Sequence, residues 1–137
     1  MPNATDRERI EKLRTVPLFE HLSDDALQEV LACATEFAVG AGHVLIRPNQ
    51  AGAGLFVIEE GSVTVELPGK KTELGAGEFF GELALLRDDA TRIARVHASS
   101  AVRCLAISRD DFDKLLEKQP AIAIAMLKTL AKRLAGK

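Results

Sequence analysis

Glu82 and Arg92 stand ten residues apart in FGELALLRDDATRIARV (80–96). Glu82 opens a short apolar run. Arg92 opens a strand-like pattern whose alternate positions Ala94, Val96 and Ala98 are small or branched. GELALL is able to turn once as a short helix after Gly81. The first N–H groups of such a turn have no intrahelical partner and carry the positive end of the helix dipole behind them. That arrangement is an anion site. Gly81 lacks a Cβ and lets a ligand come close to the backbone. A buried carboxylate at Glu82 needs a partner, and a ribose hydroxyl is a suitable donor. The Arg92 guanidinium offers a permanent charge and a planar fork that fits two phosphate oxygens. These chemistries together describe a sugar phosphate held between Glu82 and Arg92. A plain Glu82–Arg92 ion pair between a turn and a strand accounts for the same residues, and on the residues alone both readings stand.

Other chemistry finds less support. Gly-x-Gly occurs at 40–42, 52–54 and 75–77, but none has the third glycine of a dinucleotide fingerprint in place. These glycines read as turns. His21, His43 and His97 are scattered, and no pair has a metal-ligand spacing. His97 reads as a solvent-facing strand position. Asp88 and Asp89 read as solvated loop residues. No nucleophile, metal set or general base emerges, so the chain is expected not to be an enzyme. Cys33 and Cys104 lie far apart and read as buried thiols in a reducing compartment. The start, MPNATDRERI, is polar and unlike a secretory signal, and a cytoplasmic location is expected.

The elements that must position Glu82 and Arg92 follow from the rest of the chain. At 137 residues with a formal charge of −2, one domain over 1–137 is expected, with no basic excess for nucleic acid. No apolar run reaches the roughly 20 residues of a membrane span. Nine of the ten glycines fall between residues 40 and 81. The chain therefore reads as helices over 5–37, a glycine-punctuated β region over 39–107, and helices over 108–136. Thr5 fits a capping box, Pro17 ends the first helix, and Ser23 caps the second. Leu27, Val30, Leu31, Ala34 and Phe37 follow helical spacing. HVLI (43–46), LFVIEEGSVTVEL (55–67) and LPGKKTEL (67–74) read as strands and hairpins, with Val63, Val65 and Leu67 alternating inward. RIARVHA (92–98) and AVRCLAI (101–107) are later strands. Ser108 caps a helix that stops at Gln119-Pro120, where the last helix begins. The fold class is α+β, mainly β: an antiparallel, jelly-roll-like β-roll with N-terminal helices and two C-terminal helices. In the last helix, Ala123, Leu127, Leu130 and Leu134 form one stripe, expected to pack on the domain. Ile124, Ala131 and Ala135 form a second, weaker one.

LGAGEFFGELALL followed by RIARVHA resembles the phosphate-binding cassette of the cyclic nucleotide-binding domain family. VPLFEHLSDDALQEVL, GAGHVLI, AGAGLFVIEEGSVTV and LAISRDDFDKLLEKQPAIAIAMLKTLAKRL resemble, in order, other parts of the same family. The resemblance implies a β-roll that binds a cyclic nucleotide as a regulatory ligand, with no further cofactor. It implies that Glu82 bonds the ribose 2′-hydroxyl and Arg92 pairs the cyclic phosphate. The N–H groups of Leu83, Ala84 and Ile93 complete the cradle beside Gly81. The resemblance further implies that Val65 and Thr72 line the base side. Ile93 stands where relatives often carry a hydroxyl able to reach guanine, so cyclic AMP is expected over cyclic GMP. The last helix is implied as a switch and a homodimer contact. These 137 residues are expected to hold a sensor alone, with no motif for a DNA-reading helix, a membrane segment or catalysis. The alternatives are a degenerate fold serving as a protein-interaction module, or the excised sensor of a larger regulator, channel or enzyme.

Overall fold

The computed structural model describes residues 4–47, 54–81 and 94–135. Eight antiparallel strands in two sheets and four helices are described, a β-roll with flanking helices. The chain divides into two compact units, Met1–Cys33 with Asp110–Lys137, and Ala34–Arg109. No described helix is long and apolar enough to cross a membrane.

In the helical unit, α1 (Ala4–Arg14) starts one residue before the expected Thr5 and buries Ile10 and Leu13. It ends where Val16 N–H donates to the Leu13 carbonyl, 2.9 Å away, ahead of Pro17. Arg14 donates to the Leu22 carbonyl at 3.2 Å and to Asp24. Ser23 caps α2 (Asp24–Cys33): its Oγ accepts from Ala26 N–H at 3.2 Å, and Asp24 and Asp25 sit at the positive end of the dipole. The following helices are α3 (Arg109–Lys118) and α4 (Pro120–Ala135), separated by Gln119. Gln119 N–H donates to the Leu115 carbonyl at 2.7 Å, and its own carbonyl accepts from Ile122 N–H at 3.0 Å. Pro120 then takes the first helical position, where a missing N–H costs nothing.

Two expectations are corrected here. The helix expected to reach residue 37 ends at Cys33, and Ala34–Val39 is a strand, β1. Ala34 and Phe37 continue the helical spacing, but Thr35, Phe37 and Val39 also alternate as stiff or aromatic strand residues. A six-residue register with β8, from Ala34↔Ile107 to Val39↔Val102, decides between the two patterns. The second correction concerns α4. Its buried residues are Ile122 and Met126, whereas Leu127 and Leu134 of the expected packing stripe are 67% and 68% exposed. With AIAIAML apolar at every position, periodicity has no phase from which to choose a face.

In the β unit, the first sheet has the order β1-β8-β3-β6, with β3 (Gly54–Glu60), β6 (Phe79–Phe80) and β8 (Val102–Ser108). The second has the order β2-β7-β4-β5, with β2 (Val44–Ile46), β4 (Val63–Leu67), β5 (Lys70–Leu74) and β7 (Arg95–Ala98). Both sheets contribute to one apolar cluster, including Ile58, Phe80 and Cys104 from the first and Val63, Leu74, Val96 and Ala98 from the second. A β3–β4 turn and a β7–β8 turn meet beside it. Ser62 N–H donates to Ser100 Oγ and Ser99 N–H to the Ser62 carbonyl, each at 3.0 Å. Gly61 makes this approach possible. Its φ is +88°, and a Cβ there would lie 2.1 Å from the Ala101 carbonyl oxygen.

Candidate ligand site

Of the residues singled out from sequence, Gly81, Val65 and Thr72 are described. Glu82, Leu83, Ala84, Arg92 and Ile93 lie outside the described residues. The structure therefore gives the frame from which the segment 82–93 departs and to which it returns. It departs from β6, whose two residues pair with β3 through Phe56↔Phe80 and Val57↔Phe79. Gly81 follows with φ +92°, a left-handed conformation that favours glycine. The chain returns at Ala94, directly before β7. Phe80 is part of the apolar cluster and Ala94 packs against it, so both ends of the segment are fastened to one core.

Val65 lies in β4 between Val96 of β7 and Thr72 of β5, each its direct register partner. Side chains alternate across a strand, so these three share the inner face with Val63, Leu74 and Ala98. The face is not uniformly covered. Val63, Leu74, Val96 and Ala98 are buried, Val65 and Ala94 are half-buried, and Thr72 is exposed. The second sheet is thus sealed toward one end and accessible at Val65 and Thr72, with a branched apolar surface and one hydroxyl. Such a surface suits a flat ring that needs one polar contact.

The opposite face of that sheet is a charge ladder. Glu66 pairs with Arg95 (Nη1 to Oε2, 3.4 Å) and Lys71 (Nζ to Oε1, 3.8 Å), and Arg95 Nη1 donates to His97 Nδ1 at 3.1 Å. Arg95 is therefore engaged away from the inner face. On the first sheet, Arg103 is held between Glu36 (3.4 Å) and Glu60 (3.8 Å). Both cysteines are free, Cys104 buried and Cys33 half-buried. Burial, and then the charge of Glu59, push the Cys104 thiol up to about 11. Burial foremost, with the charges of Asp111 and Glu29 adding to it, raises that of Cys33. Neither thiol is poised as a nucleophile at neutral pH.

Sequence reasoning missed three phenylalanines on the inner face of the first sheet. Phe56 stacks on Phe80 with ring centroids 5.0 Å apart and planes 10° from parallel, and Phe37 meets Phe56 edge-on at 6.0 Å. The alternation in TEFAV was the available signal for Phe37. Nothing local announces that the three rings meet.

The comparisons with known proteins fit this frame. A family model described as the cyclic nucleotide-binding domain matches residues 36–119. A cyclic nucleotide-gated potassium channel of Rhizobium etli is 41% identical over 121 residues, covering 88% of this chain and 34% of the channel. A cGMP-dependent protein kinase of Drosophila melanogaster is 34% identical over 113 residues, covering 76% of this chain and 12% of the kinase. The chain thus spans about a third of the channel's length and about an eighth of the kinase's. Among solved structures, a cAMP-bound PfPKA-R has a TM-score of 0.81 at 21% identity, covering 93% of this chain and 45% of that one, a likeness of fold.

Proposed function

The chain belongs to the cyclic nucleotide-binding domain family, and from that premise we propose that it is a cytoplasmic sensor preferring cyclic AMP to cyclic GMP. On this reading it is a binding module and not an enzyme, and its partner is a nucleotide rather than nucleic acid or membrane. One observation carries the proposal: Phe80 and Ala94, the flanks of the segment 82–93, fasten to the same cluster whose Val65–Thr72 side is accessible. A ligand held by that segment would have an apolar wall beside it. Glu82 takes the ribose 2′-hydroxyl and Arg92 the cyclic phosphate. The N–H groups of Leu83, Ala84 and Ile93 complete the phosphate cradle, with Gly81 allowing close approach. Val65 and Thr72 face the base. Ile93 has no hydroxyl to offer guanine, which favours cyclic AMP.

The proposal extends to α4 as the element that passes binding on, and to a homodimer formed through it. Ile124, Leu127 and Leu134 are 54%, 67% and 68% exposed. With Ala131 they follow the 3-4-3 spacing of a two-helix seam.

Calorimetric titration with cyclic AMP and cyclic GMP tests the reading. Binding of both, tighter for cyclic AMP, is expected. Tighter cyclic GMP overturns the preference, and no binding of either overturns the sensor in favour of a protein-interaction module.

A further inference from the structure

The inner face of β5 changes character along its length. Leu74 is buried in the apolar cluster, Thr72 is exposed, and Lys70 is exposed at the hairpin end. Side chains alternate along a strand, so the three share one face. Contacts on the other face agree with that parity: Lys71 Nζ lies 3.8 Å from Glu66 Oε1, and Glu73 Oε1 accepts from Ser99 Oγ at 3.3 Å. Leu67 and Lys70 close the β4–β5 hairpin as register partners. Gly69 in the turn has φ +75°, and a Cβ there would meet no described atom within 4 Å, so the turn stands clear of its surroundings.

Of the three cations on β4, β5 and β7, Lys71 and Arg95 sit on the outer face beside Glu66. Lys70 has inner-face parity, and no described residue forms an ion pair with it. The acids of these strands, Glu66 and Glu73, belong to the outer face. Lys70 thus adds a positive charge to the face that carries Val65 and Thr72, about 7 Å along the strand from Thr72. A cyclic nucleotide carries a negative charge on its phosphate. A cation beside an uncharged, partly apolar surface acts on such a ligand before contact, because low-dielectric walls focus its field.

We propose that Lys70 draws the anionic ligand onto the open inner face of the second sheet, raising the rate of association rather than the lifetime of the complex. This inference rests on the nucleotide-binding reading above. Lys70 makes no fixed contact in this role, which needs only its charge and its face. A unit charge about 8–10 Å from another changes an encounter about twofold at low salt, and much less once the Debye length falls below that distance. Lys71 is the natural control: the adjacent residue, with the same charge, on the opposite face and already beside Glu66.

The test is stopped-flow association and dissociation of a fluorescent cyclic AMP analogue, at about 20 mM and about 500 mM salt. Lys70 is exposed, so its variants are expected to fold, and thermal melts check this. At low salt Lys70→Gln is expected to slow association about twofold and Lys70→Glu about fourfold, in proportion to the charge removed. Both differences are expected to vanish at high salt, with dissociation unchanged throughout. Lys71→Gln alters the net charge equally and is expected to change association by less than about 1.3-fold. Unchanged association in Lys70→Glu, equal slowing by Lys70→Gln and Lys71→Gln, or a change confined to dissociation overturns the steering role and leaves the nucleotide reading intact. Wild-type protein that binds neither the analogue nor unlabelled cyclic AMP or cyclic GMP overturns both.

Discussion

Replacing Arg92 by alanine is expected to lower cyclic AMP affinity by about a hundredfold or more. A hydrogen bond to a charged group contributes roughly 1.5–3 kcal/mol, and a guanidinium facing phosphate makes two. Arg92→Lys is also expected to bind more weakly, because an ammonium has no fork. Glu82→Gln should lose less, since it serves a neutral hydroxyl. Calorimetry on the three variants reads the order, and equal affinity in Arg92→Ala sinks the phosphate assignment. Cys104 carries a different expectation. Its folded-state value of about 11 lies above the ordinary 9.0. Between those values the unfolded chain loses this proton while the folded chain keeps it, so stability falls as pH rises. Thermal melts from pH 8 to pH 11 should show the decline, and Cys104→Ala should flatten it. The thiol should also resist alkylation at pH 7.5 until the protein unfolds.

Among the elements, the β3–β4 turn admits little change at Gly61. Gly61→Ala brings two penalties together: a residue with a side chain at φ +88°, and a Cβ 2.1 Å from a backbone oxygen that no rotamer can move. A loss of about 2 kcal/mol or more is expected in urea unfolding, well above an ordinary surface substitution. The hydrogen bonds of this turn from Ser62 N–H to Ser100 Oγ and from Ser99 N–H to the Ser62 carbonyl would be displaced with it. The charge ladder on the second sheet is different in kind. Lys71 is largely exposed beside Glu66, and a pair of that sort contributes about 1 kcal/mol at most.

At the scale of the whole molecule the question is association. The exposed seam of α4 predicts a dimer that weakens without its leucines. Leu127→Lys is expected to leave the chain folded, because residue 127 is already 67% exposed, and to move sedimentation from dimer to monomer. A wild-type chain that stays monomeric at high micromolar concentration, with and without cyclic AMP, removes the homodimer. Unchanged hydrogen exchange over residues 120–135 on adding cyclic AMP removes the switch.

The elements legible in the sequence are those decided by local chemistry. Ser23 caps α2 because a hydroxyl satisfies a nearby free N–H, Pro120 opens α4 because proline has no N–H to lose, and the β4–β5 hairpin turns at Pro68-Gly69. The inward alternation of Val63 and Val65 was legible for the same reason, since period-two alternation is a property of a few adjacent residues, whereas Thr72 was named only through the family resemblance. Tertiary structure decided the rest. Residues 34–37 fit helix and strand alike until β8 supplied partners for all six positions of β1. The apolar run at 121–127 had no preferred face until Ile122 and Met126 were buried and Leu127 was not. The stack of Phe56 on Phe80, with Phe37 against its edge, joins strands far apart in the chain. Such contacts leave no periodic trace, because they depend on which strands are neighbours in the sheet and on the small residues between them.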